Sequence, residues 1–224
     1  MEKLYEDENI IAFLKPNGVE FHKNQNCKSF VDLIRDENKV ENLYPVHRLD
    51  KETSGIILFA KNSQSARLLS DIISIGKIDK FYIAVSRMKP KKSMGFVKGD
   101  IVKSRSGSYK LSQSMENPSS TIFVSKKIAD KYFFLVKILT GKTHQIRVVM
   151  KSLGSPILGD TIYGNDLANR MYLHSCRSSF QYEDKVIDIV NLPHEFSCEM
   201  YNIFCDLLLK MKEHFTKYFI IQNP

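Results

Sequence analysis

The feature that most constrains this chain is a polar segment, residues 47–55, that leads directly into an apolar run, residues 56–60. The run Ile-Ile-Leu-Phe-Ala lies between a glycine and a lysine, which is typical of a short buried strand. Before it, Arg48 and Asp50 stand two residues apart, so an extended backbone directs both side chains to one side. A carboxylate held beside a guanidinium stays ionised and oriented, as a nucleophile or a base must be.

The same pair has a simpler interpretation as an ion pair that steadies a turn. Ion pairs are far more common than active sites, so an isolated Arg-x-Asp favours this interpretation. The segment alone predicts a polar turn followed by a strand, and it leaves the role of Asp50 open.

Length and composition predict one globular domain. The chain has 224 residues, 43% of them hydrophobic, which is enough for a sizeable core. It shows no internal repeat, low-complexity tract or Ser/Gly linker, which favours one continuous domain over residues 1–224. No apolar stretch reaches the roughly 18 residues of a membrane span. Residues 1–8 are acidic and lack the apolar core of an export signal, so a cytoplasmic protein is expected.

The charge of the chain favours a polyanionic partner. The formal net charge is +8 and the pI about 9.2, although a soluble protein of a Lys-rich proteome has the same property. The cysteines have no C-x-x-C spacing and are expected to be reduced thiols. They are Cys27, Cys176, Cys198 and Cys205.

Hydrophobic periodicity predicts both strands and helices. In residues 80–85, alternation places Tyr82 on one face and Phe81 on the other. Ser29, Ser63 and Thr143 are expected helix N-caps. Strands are expected at residues 9–14, 56–60, 80–85, 119–126, 132–139 and 172–176, and a long amphipathic helix from Phe196 to Phe215.

Two further groups of cations are candidates for contact with an anion. In the predicted helix after residue 143, His144, Arg147 and Lys151 share the polar face and could meet Asp50 or a phosphate. The basic segments 89–92 and 103–110 suit mobile hairpins that touch a phosphate backbone, although a charge run is usually a solvated surface. The candidate contacts in the second segment are Lys103, Arg105 and Lys110.

Two other motif-like features have ordinary interpretations. Lys15, in the turn 15–18, could contact a phosphate but is more typical of a solvated turn residue. His174 and Cys176 alternate correctly for one face of a strand, but no second ligand pair accompanies them. They are expected to be packing residues, and no metal site is predicted.

Several of these segments together, in this order, resemble the signatures of the RluA-type family of RNA pseudouridine synthases. Residues 47–61 are similar to H-R-L-D-x-x-T-S-G-[LIV]-[LIV]-[LIV]-x-A-K, residues 140–148 to T-G-R-T-H-Q-I-R-V, and residues 154–164 to G-H-P-I-x-G-D-x-x-Y-G. Residues 15–18, 80–84 and 173–175 resemble its K-P-x-G, K-x-Y-x-A and L-H-A segments. The chain departs from the pattern at Lys142, Val149, Ser155 and Ser175, none of which is a catalytic position of the family.

The resemblance implies an α+β fold with a mixed, mostly antiparallel central sheet, flanking helices and loops, and a basic cleft. It implies a catalytic domain without the small S4-like domain that precedes it in many relatives. Asp50 would be the nucleophile and Arg147 its ion-pair partner. Arg48 would enter the space that the target base leaves, and Tyr82 would be catalytic, stacking on that base and serving in the removal of the proton from C5. His144, from the polar helix face described above, is a further candidate substrate contact.

The reaction of this family breaks the N1–C1′ bond of a uridine, turns the base and rejoins it through C5. Neither redox change nor hydrolysis occurs, so neither cofactor nor metal is expected. The carboxylate could attack the ribose, attack the base or assist glycal formation, and the sequence leaves these routes open. The target base must first leave its stack, at a cost of roughly a few kcal/mol.

The expected function is therefore the isomerisation of uridines in ribosomal or transfer RNA by a monomer without an obligate protein partner. Two alternatives of other classes remain: a catalytically idle RNA-binding factor on the same fold, and a nucleoside glycosidase. The glycosidase would need a second carboxylate to activate water, and only Glu52 is near the motif. Which RNA and which uridine are modified does not follow from the sequence.

Overall fold

A computed structural model describes residues 1–21, 28–40, 42–193 and 197–219, without the side chains of residues 106 and 197–199. The strands are β1 (Lys3–Glu6), β2 (Ile10–Lys15), β3 (Tyr44–Pro45), β4 (Ser54–Ala60), β5 (Ile78–Ser86), β6 (Met94–Lys103), β7 (Tyr109–Ser112), β8 (Ser119–Ile128), β9 (Lys131–Ile138), β10 (Leu173–Tyr182) and β11 (Lys185–Val190). The helices are α1 (Phe30–Asn38), α2 (Ser63–Ser74), α3 (Gln145–Ser152) and α4 (Ser197–Phe215). Short 3-10 turns lie at Arg105–Gly107 and Thr216–Tyr218.

All of these strands belong to one sheet, in the order β1-β2-β4-β10-β5-β9-β8-β6-β7, with β11 beside β10 and β3 beside β4. Every pairing is antiparallel except that of β4 with β10, which is parallel. The expected α+β class with a mixed, mostly antiparallel sheet is confirmed. Gly55 allows the parallel contact, because a Cβ there would collide with the backbone of Ser175 and its φ is +116°.

The sheet is covered by helices on both faces. Alternation along β5 sends Tyr82 into a core cluster shared with α1 and α3, and Phe81 into another shared with α4, as the sequence predicts. In β4, Ile57 and Phe59 join the first cluster, while Ile56 and Leu58 join a third cluster shared with α2. Within the described residues, no helix is long and apolar enough to cross a bilayer.

Helix starts follow the expected chemistry with two corrections. Ser29 caps α1 in a capping box with Asp32, as predicted. For α2 the cap is Asn62 rather than Ser63. For α3 it is His144 rather than Thr143, and no side chain accepts a capping hydrogen bond there. The Gln145 side chain instead accepts hydrogen bonds from the preceding loop, from the Lys142 amide (2.9 Å) and the Thr140 hydroxyl (2.8 Å).

The structure also bears on the expectations for the basic segment 103–110, the strand 172–176 and the cysteines. The basic segment 103–110 forms the tip of the β6–β7 hairpin, and β10 is longer than the predicted strand 172–176. Cys176 and Cys205 are free thiols. Cys27, Phe196 and the side chain of Cys198 lie outside the described residues.

Candidate active site

The polar segment of residues 47–55 meets the start of α3 across a cavity of about 360 Å³. This volume lies within the range of small-molecule sites and suits a group of nucleoside size. Its charged lining consists of Arg48, Asp50, Lys80, Lys142 and Arg147, with Asp50 as the sole carboxylate among the described residues that line it. Four cations thus face one anion.

Asp50 lies in the turn that enters β4. Leu49 before it is buried, and the Asp50 carbonyl accepts a hydrogen bond from the Thr53 amide at 3.1 Å, so the backbone at this point is fixed. The Asp50 side chain is 26% exposed and lines the cavity. Arg48 is exposed and forms no ion pair with Asp50 within the described residues, so the local pair of the simpler interpretation is not formed.

His47 connects the same turn to the sheet. Its Nε2 accepts a hydrogen bond from the Leu58 amide at 3.0 Å, which requires an unprotonated nitrogen. Desolvation, aided by the nearby Lys80 ammonium, lowers the pKa of His47 to about 3. The imidazole is therefore a neutral structural support at neutral pH.

Lys15 binds carbonyl oxygens of the turn before β4, which corrects the two interpretations of this residue as a phosphate contact or a solvated turn residue. Its ammonium is fully buried and donates to the carbonyl oxygens of Pro16 (3.0 Å), Lys51 (2.8 Å) and Thr53 (3.0 Å). Desolvation lowers the pKa of Lys15 to about 8. It is neither a solvated turn residue nor a phosphate contact, because these carbonyls converge on one point beneath the turn.

Arg147 on α3 is held by a carboxylate that the sequence did not assign. Its Nε and Nη2 donate to Asp160 Oδ2 and Oδ1, both at 2.8 Å, while Nη1 lies 3.8 Å from Asp50 Oδ2. Burial opposes ionisation of Asp160, but the hydrogen bonds from Arg147 hold the pKa of this carboxyl below its usual range. The expected contact of Arg147 with Asp50 is present, but at 3.8 Å it is longer than the hydrogen bonds between Arg147 and Asp160.

His144 approaches the same oxygen of Asp50. Its Nε2 lies 3.9 Å from Asp50 Oδ2, and its Nδ1 lies 2.9 Å from the Tyr163 hydroxyl. Desolvation, followed by the charge of Arg147, lowers the pKa of His144, so the ring is neutral at neutral pH. If the Tyr163 hydroxyl donates to Nδ1, the ring proton is on Nε2 and faces Asp50.

The backbone at His144 is unusual, since its φ of +55° lies in the left-handed region that non-glycine residues rarely adopt. Such a conformation costs of order 1–3 kcal/mol and is typical of functional positions. The Tyr163 hydroxyl also accepts a hydrogen bond from the Tyr109 amide at 2.9 Å, and the Tyr109 ring contacts His144 edge-on. The β6–β7 hairpin is thus attached to the site.

Tyr82 lines the cavity from β5 and is 5% exposed. Burial raises the pKa of Tyr82 well above its ordinary value of 10, and a hydrogen bond with the Ser175 side chain opposes this only in part. The ring therefore presents a neutral phenol. Lys80 stands two residues earlier on the same face, and desolvation lowers its pKa to about 8.

The structure brings together five of the candidate residues around one cavity: Arg48, Asp50, Tyr82, His144 and Arg147. The candidate contacts on the hairpin, Lys103, Arg105 and Lys110, are exposed and do not line it. Lys151 is also exposed and outside the lining.

His174 forms structural contacts within the protein, as expected of a packing residue. Its Nδ1 lies 2.9 Å from the Ser54 hydroxyl and its Nε2 3.1 Å from both oxygens of Asn191, which accounts for the two ring nitrogens. Cys176 is buried. No cluster of three metal-ligating side chains occurs in the described ranges, whose gaps are given above.

Four residues at the site had no predicted role: Lys80, Tyr109, Asp160 and Tyr163. Asp160 and Tyr163 belong to the segment 154–164, whose G-D-x-x-Y-G pattern was the available signal. Tyr109 follows the basic residues of the hairpin, and nothing in its sequence neighbourhood indicates contact with His144.

Comparison with known proteins identifies the family. The model of the RNA pseudouridylate synthase family matches residues 9–152. The chain belongs to this family. An uncharacterized RNA pseudouridine synthase of Haemophilus influenzae is 41% identical over 198 residues, covering 87% of this chain and 88% of that protein. The family consists of isomerases that act on RNA, so the expected membership and enzyme class are confirmed.

Other relatives carry specific names. Ribosomal large subunit pseudouridine synthase C of Rickettsia bellii is 38% identical over 77% of this chain and 61% of its own length, so this chain matches about three fifths of it. tRNA pseudouridine synthase C of Haemophilus ducreyi is 33% identical over 76% of each chain. Among solved structures, Human RNA Pseudouridylate Synthase Domain Containing 4 matches with a TM-score of 0.72 and 23% identity, over 91% of this chain and 93% of that one. At this identity the likeness shows the fold.

Proposed function

We propose that this protein converts specific uridines of ribosomal or transfer RNA to pseudouridine, with Asp50 as the nucleophile. The observation that carries this proposal is the position of Asp50. Its carboxylate is partly exposed in a cavity of nucleoside size, and one of its oxygens lies 3.8 Å from Arg147 and 3.9 Å from His144. The Arg147 cation orients the carboxylate for attack, while Lys15 fixes the turn beneath it.

The other residues around the cavity have separate proposed roles in the reaction. The target uridine leaves its stack and enters the cavity, where the Tyr82 ring contacts the base and Arg48 fills the space left in the RNA. Asp50 forms a covalent bond with the ribose or the base, or assists glycal formation, as the N1–C1′ bond breaks. The turned base then joins C1′ through C5, Asp50 is released as a free carboxylate, and the C5 proton is lost to water. Arg147 and His144 stabilise the carboxylate when it is released.

The lining of the cavity argues against the glycosidase alternative. Hydrolysis needs a second carboxylate to activate water, and Glu52 does not line the cavity. The Asp160 carboxylate is fully buried and occupied by Arg147, so it is not positioned to deprotonate water. The isomerisation requires neither metal nor redox cofactor, and we propose that the protein uses none.

RNA recruitment is proposed to use the cationic lining and the exposed tip of the β6–β7 hairpin. Four of the five charged lining residues are cations, which supports a basic cleft. Lys103, Arg105 and Lys110 would contact phosphates, because the hairpin is attached to His144 through Tyr109. We further propose a monomer without an obligate protein partner that acts in the cytoplasm, where ribosomal and transfer RNA are present.

The test follows from the chemistry, since pseudouridine formation releases the hydrogen on C5 of the uridine. The purified protein is incubated with unmodified ribosomal and transfer RNA transcripts that carry tritium at C5 of uridine. Release of tritium into water, with pseudouridines mapped to defined positions, is the expected result. RNA binding without tritium release would favour the idle RNA-binding factor, and release of free uracil would favour the glycosidase.

A further inference from the structure

The cavity at Asp50 adjoins a second cavity of about 330 Å³ that has no assigned role. The two cavities share Ile73, Lys80, Ile138, Gly141 and Lys142 as lining residues. From this shared wall the second cavity extends to the end of α2, where Ser74 and Gly76 line it. It thus shares a wall with the catalytic cavity, and Asp50 does not line it.

The charge of the second cavity is one-sided. Among the described residues that line it, Lys80 and Lys142 are the charged ones and none is a carboxylate; Asp100 acts on Lys142 from outside the lining. The Lys142 ammonium is anchored by a hydrogen bond of 2.6 Å to Asn117 Oδ1. A cavity with two cations and no anion is complementary to a negatively charged group.

Lys80 is the more informative of the two lysines. Its side chain extends from β5, paired with Ile138 on β9 and Ser178 on β10, and it is mostly buried. No described residue forms a hydrogen bond or an ion pair with its ammonium, and its environment desolvates it without supplying a carboxylate. A partly desolvated ammonium without a partner is costly, unless a ligand supplies the missing anion.

The geometry links this ammonium to the substrate. Lys80 and Tyr82 are two residues apart on one face of β5, so their Cα atoms are about 7 Å apart along the strand. We propose that Lys80 and Lys142 bind a backbone phosphate adjacent to the target uridine, so that the second cavity receives the neighbouring nucleotide. This inference rests on the proposed function, because it places the uridine beside Tyr82.

The second cavity is not built to identify a base. Its wall contains the aliphatic side chains of Ile73, Ile78 and Leu139, and no aromatic ring on which a base could stack lines it among the described residues. Contacts to a phosphate position the RNA without reading its sequence. The subsite is therefore expected to orient RNA of any sequence and to leave the choice of uridine to other contacts.

The test compares Lys80→Met with the wild-type protein, using the unmodified transcripts described above. Affinity for RNA is measured from 50 to 300 mM salt in parallel with single-turnover tritium release. We expect Lys80→Met to raise Kd on the order of tenfold at low salt and to reduce the slope of log K against log salt by about 0.7–0.9. Single-turnover release at saturating protein should change less than the affinity.

Two variants make the result specific. Lys80→Arg keeps the cation and is expected to restore most of the affinity and the salt slope. Lys127→Met removes an exposed cation that lines neither cavity and should bind as the wild type does. Circular dichroism verifies that each variant is folded.

The subsite is refuted if Lys80→Met keeps the wild-type affinity and salt slope, or if only the single-turnover rate falls. The latter result would mean that Lys80 acts on the reaction rather than on a phosphate. Failure of the proposed function is a separate result, because the wild-type protein would then release no tritium from any transcript.

Discussion

Two buried ion pairs of this molecule are chemically similar but serve different purposes. Lys137 and Asp79 are 2.6 Å apart and almost fully buried, and the Lys137 ammonium also lies over the rings of Phe81 and Phe219. Arg147 and Asp160 are as deeply buried, yet one guanidinium nitrogen remains directed at Asp50 in an open cavity. The first cation is enclosed by its partners, whereas the second has a nitrogen left for chemistry.

Burial and charge therefore do not identify a functional site by themselves. Both pairs meet the same requirement that a buried charge has a partner. Only at Arg147 does a second carboxylate, partly exposed and in contact with a cavity, compete for the same cation. Substitutions in the two regions are therefore expected to have different effects.

The largest effect is expected at Arg147. Arg147→Met removes the cation nearest to Asp50 and leaves Asp160 buried without its partner, so tritium release should fall on the order of 10³-fold. Stability should also fall by about 3–5 kcal/mol. Arg147→Lys keeps the charge but cannot hold Asp160 with two bonds and also face Asp50, so its activity should lie between the two. Wild-type activity in Arg147→Met would remove the distinction between the regions.

The second prediction concerns stability without activity. Lys137→Met leaves Asp79 buried and unpaired, which should lower the free energy of unfolding by about 3–5 kcal/mol in urea titrations. The folded fraction should release tritium at the wild-type rate. Lys126→Met is the matched control, because Lys126 and Asp206 form an exposed pair and should contribute at most about 1 kcal/mol. Reduced activity per folded molecule would contradict the structural role.

Asp160 is expected to act on catalysis through Arg147. Asp160→Asn keeps the shape of the side chain but weakens both bonds to the guanidinium, so a less well placed Arg147 should reduce kcat about 10–100-fold with little change in KM. Asp188→Asn weakens the comparable pair with Arg177, which lines neither cavity. Equal losses of kcat in the two variants would show that Asp160 has no special connection to the site.

The smallest effect is a pH dependence at His144. Burial and Arg147 lower the pKa of His144 from its ordinary value of 6.5, so just below pH 6.5 the unfolded chain binds more protons here than the folded protein. The stability that neutral His144 contributes is therefore lost as pH falls from about 6.5 through the folded pKa. His144→Gln should flatten the dependence of the unfolding free energy on pH in this window. An unchanged slope in His144→Gln would contradict the lowered pKa.

The sequence predicted the local parts of the fold well. Period-two alternation assigned Tyr82 and Phe81 to opposite faces, and the Ser-x-x-Asp pattern identified the start of α1. It missed β1, β3, β6, β7 and β11. Burial along the first four shows no sustained alternation, which leaves periodicity without a signal. Along β11 the exposed Val186 and Val190 conceal the alternation of the buried Ile187 and Ile189.

The site was only partly predictable for the same reason. Short motifs indicate residue types such as Asp50 and Arg147, but they do not show which distant groups converge. Lys15 was misread because its three carbonyl partners meet only after the turn before β4 has folded. Asp160 is 13 residues from Arg147 in a loop, and neither periodicity nor capping rules predict their pairing.

The central claim is that the carboxylate of Asp50 performs the reaction. Its most direct test is single-turnover tritium release by Asp50→Asn, measured beside RNA affinity and the urea midpoint. Asn has the same size and lacks the nucleophilic oxygen, so release should be undetectable, at least about 10⁴-fold below the wild type, while affinity and stability stay within a few-fold and about 1 kcal/mol. Pseudouridine formation by Asp50→Asn at a rate near that of the wild type would contradict the account.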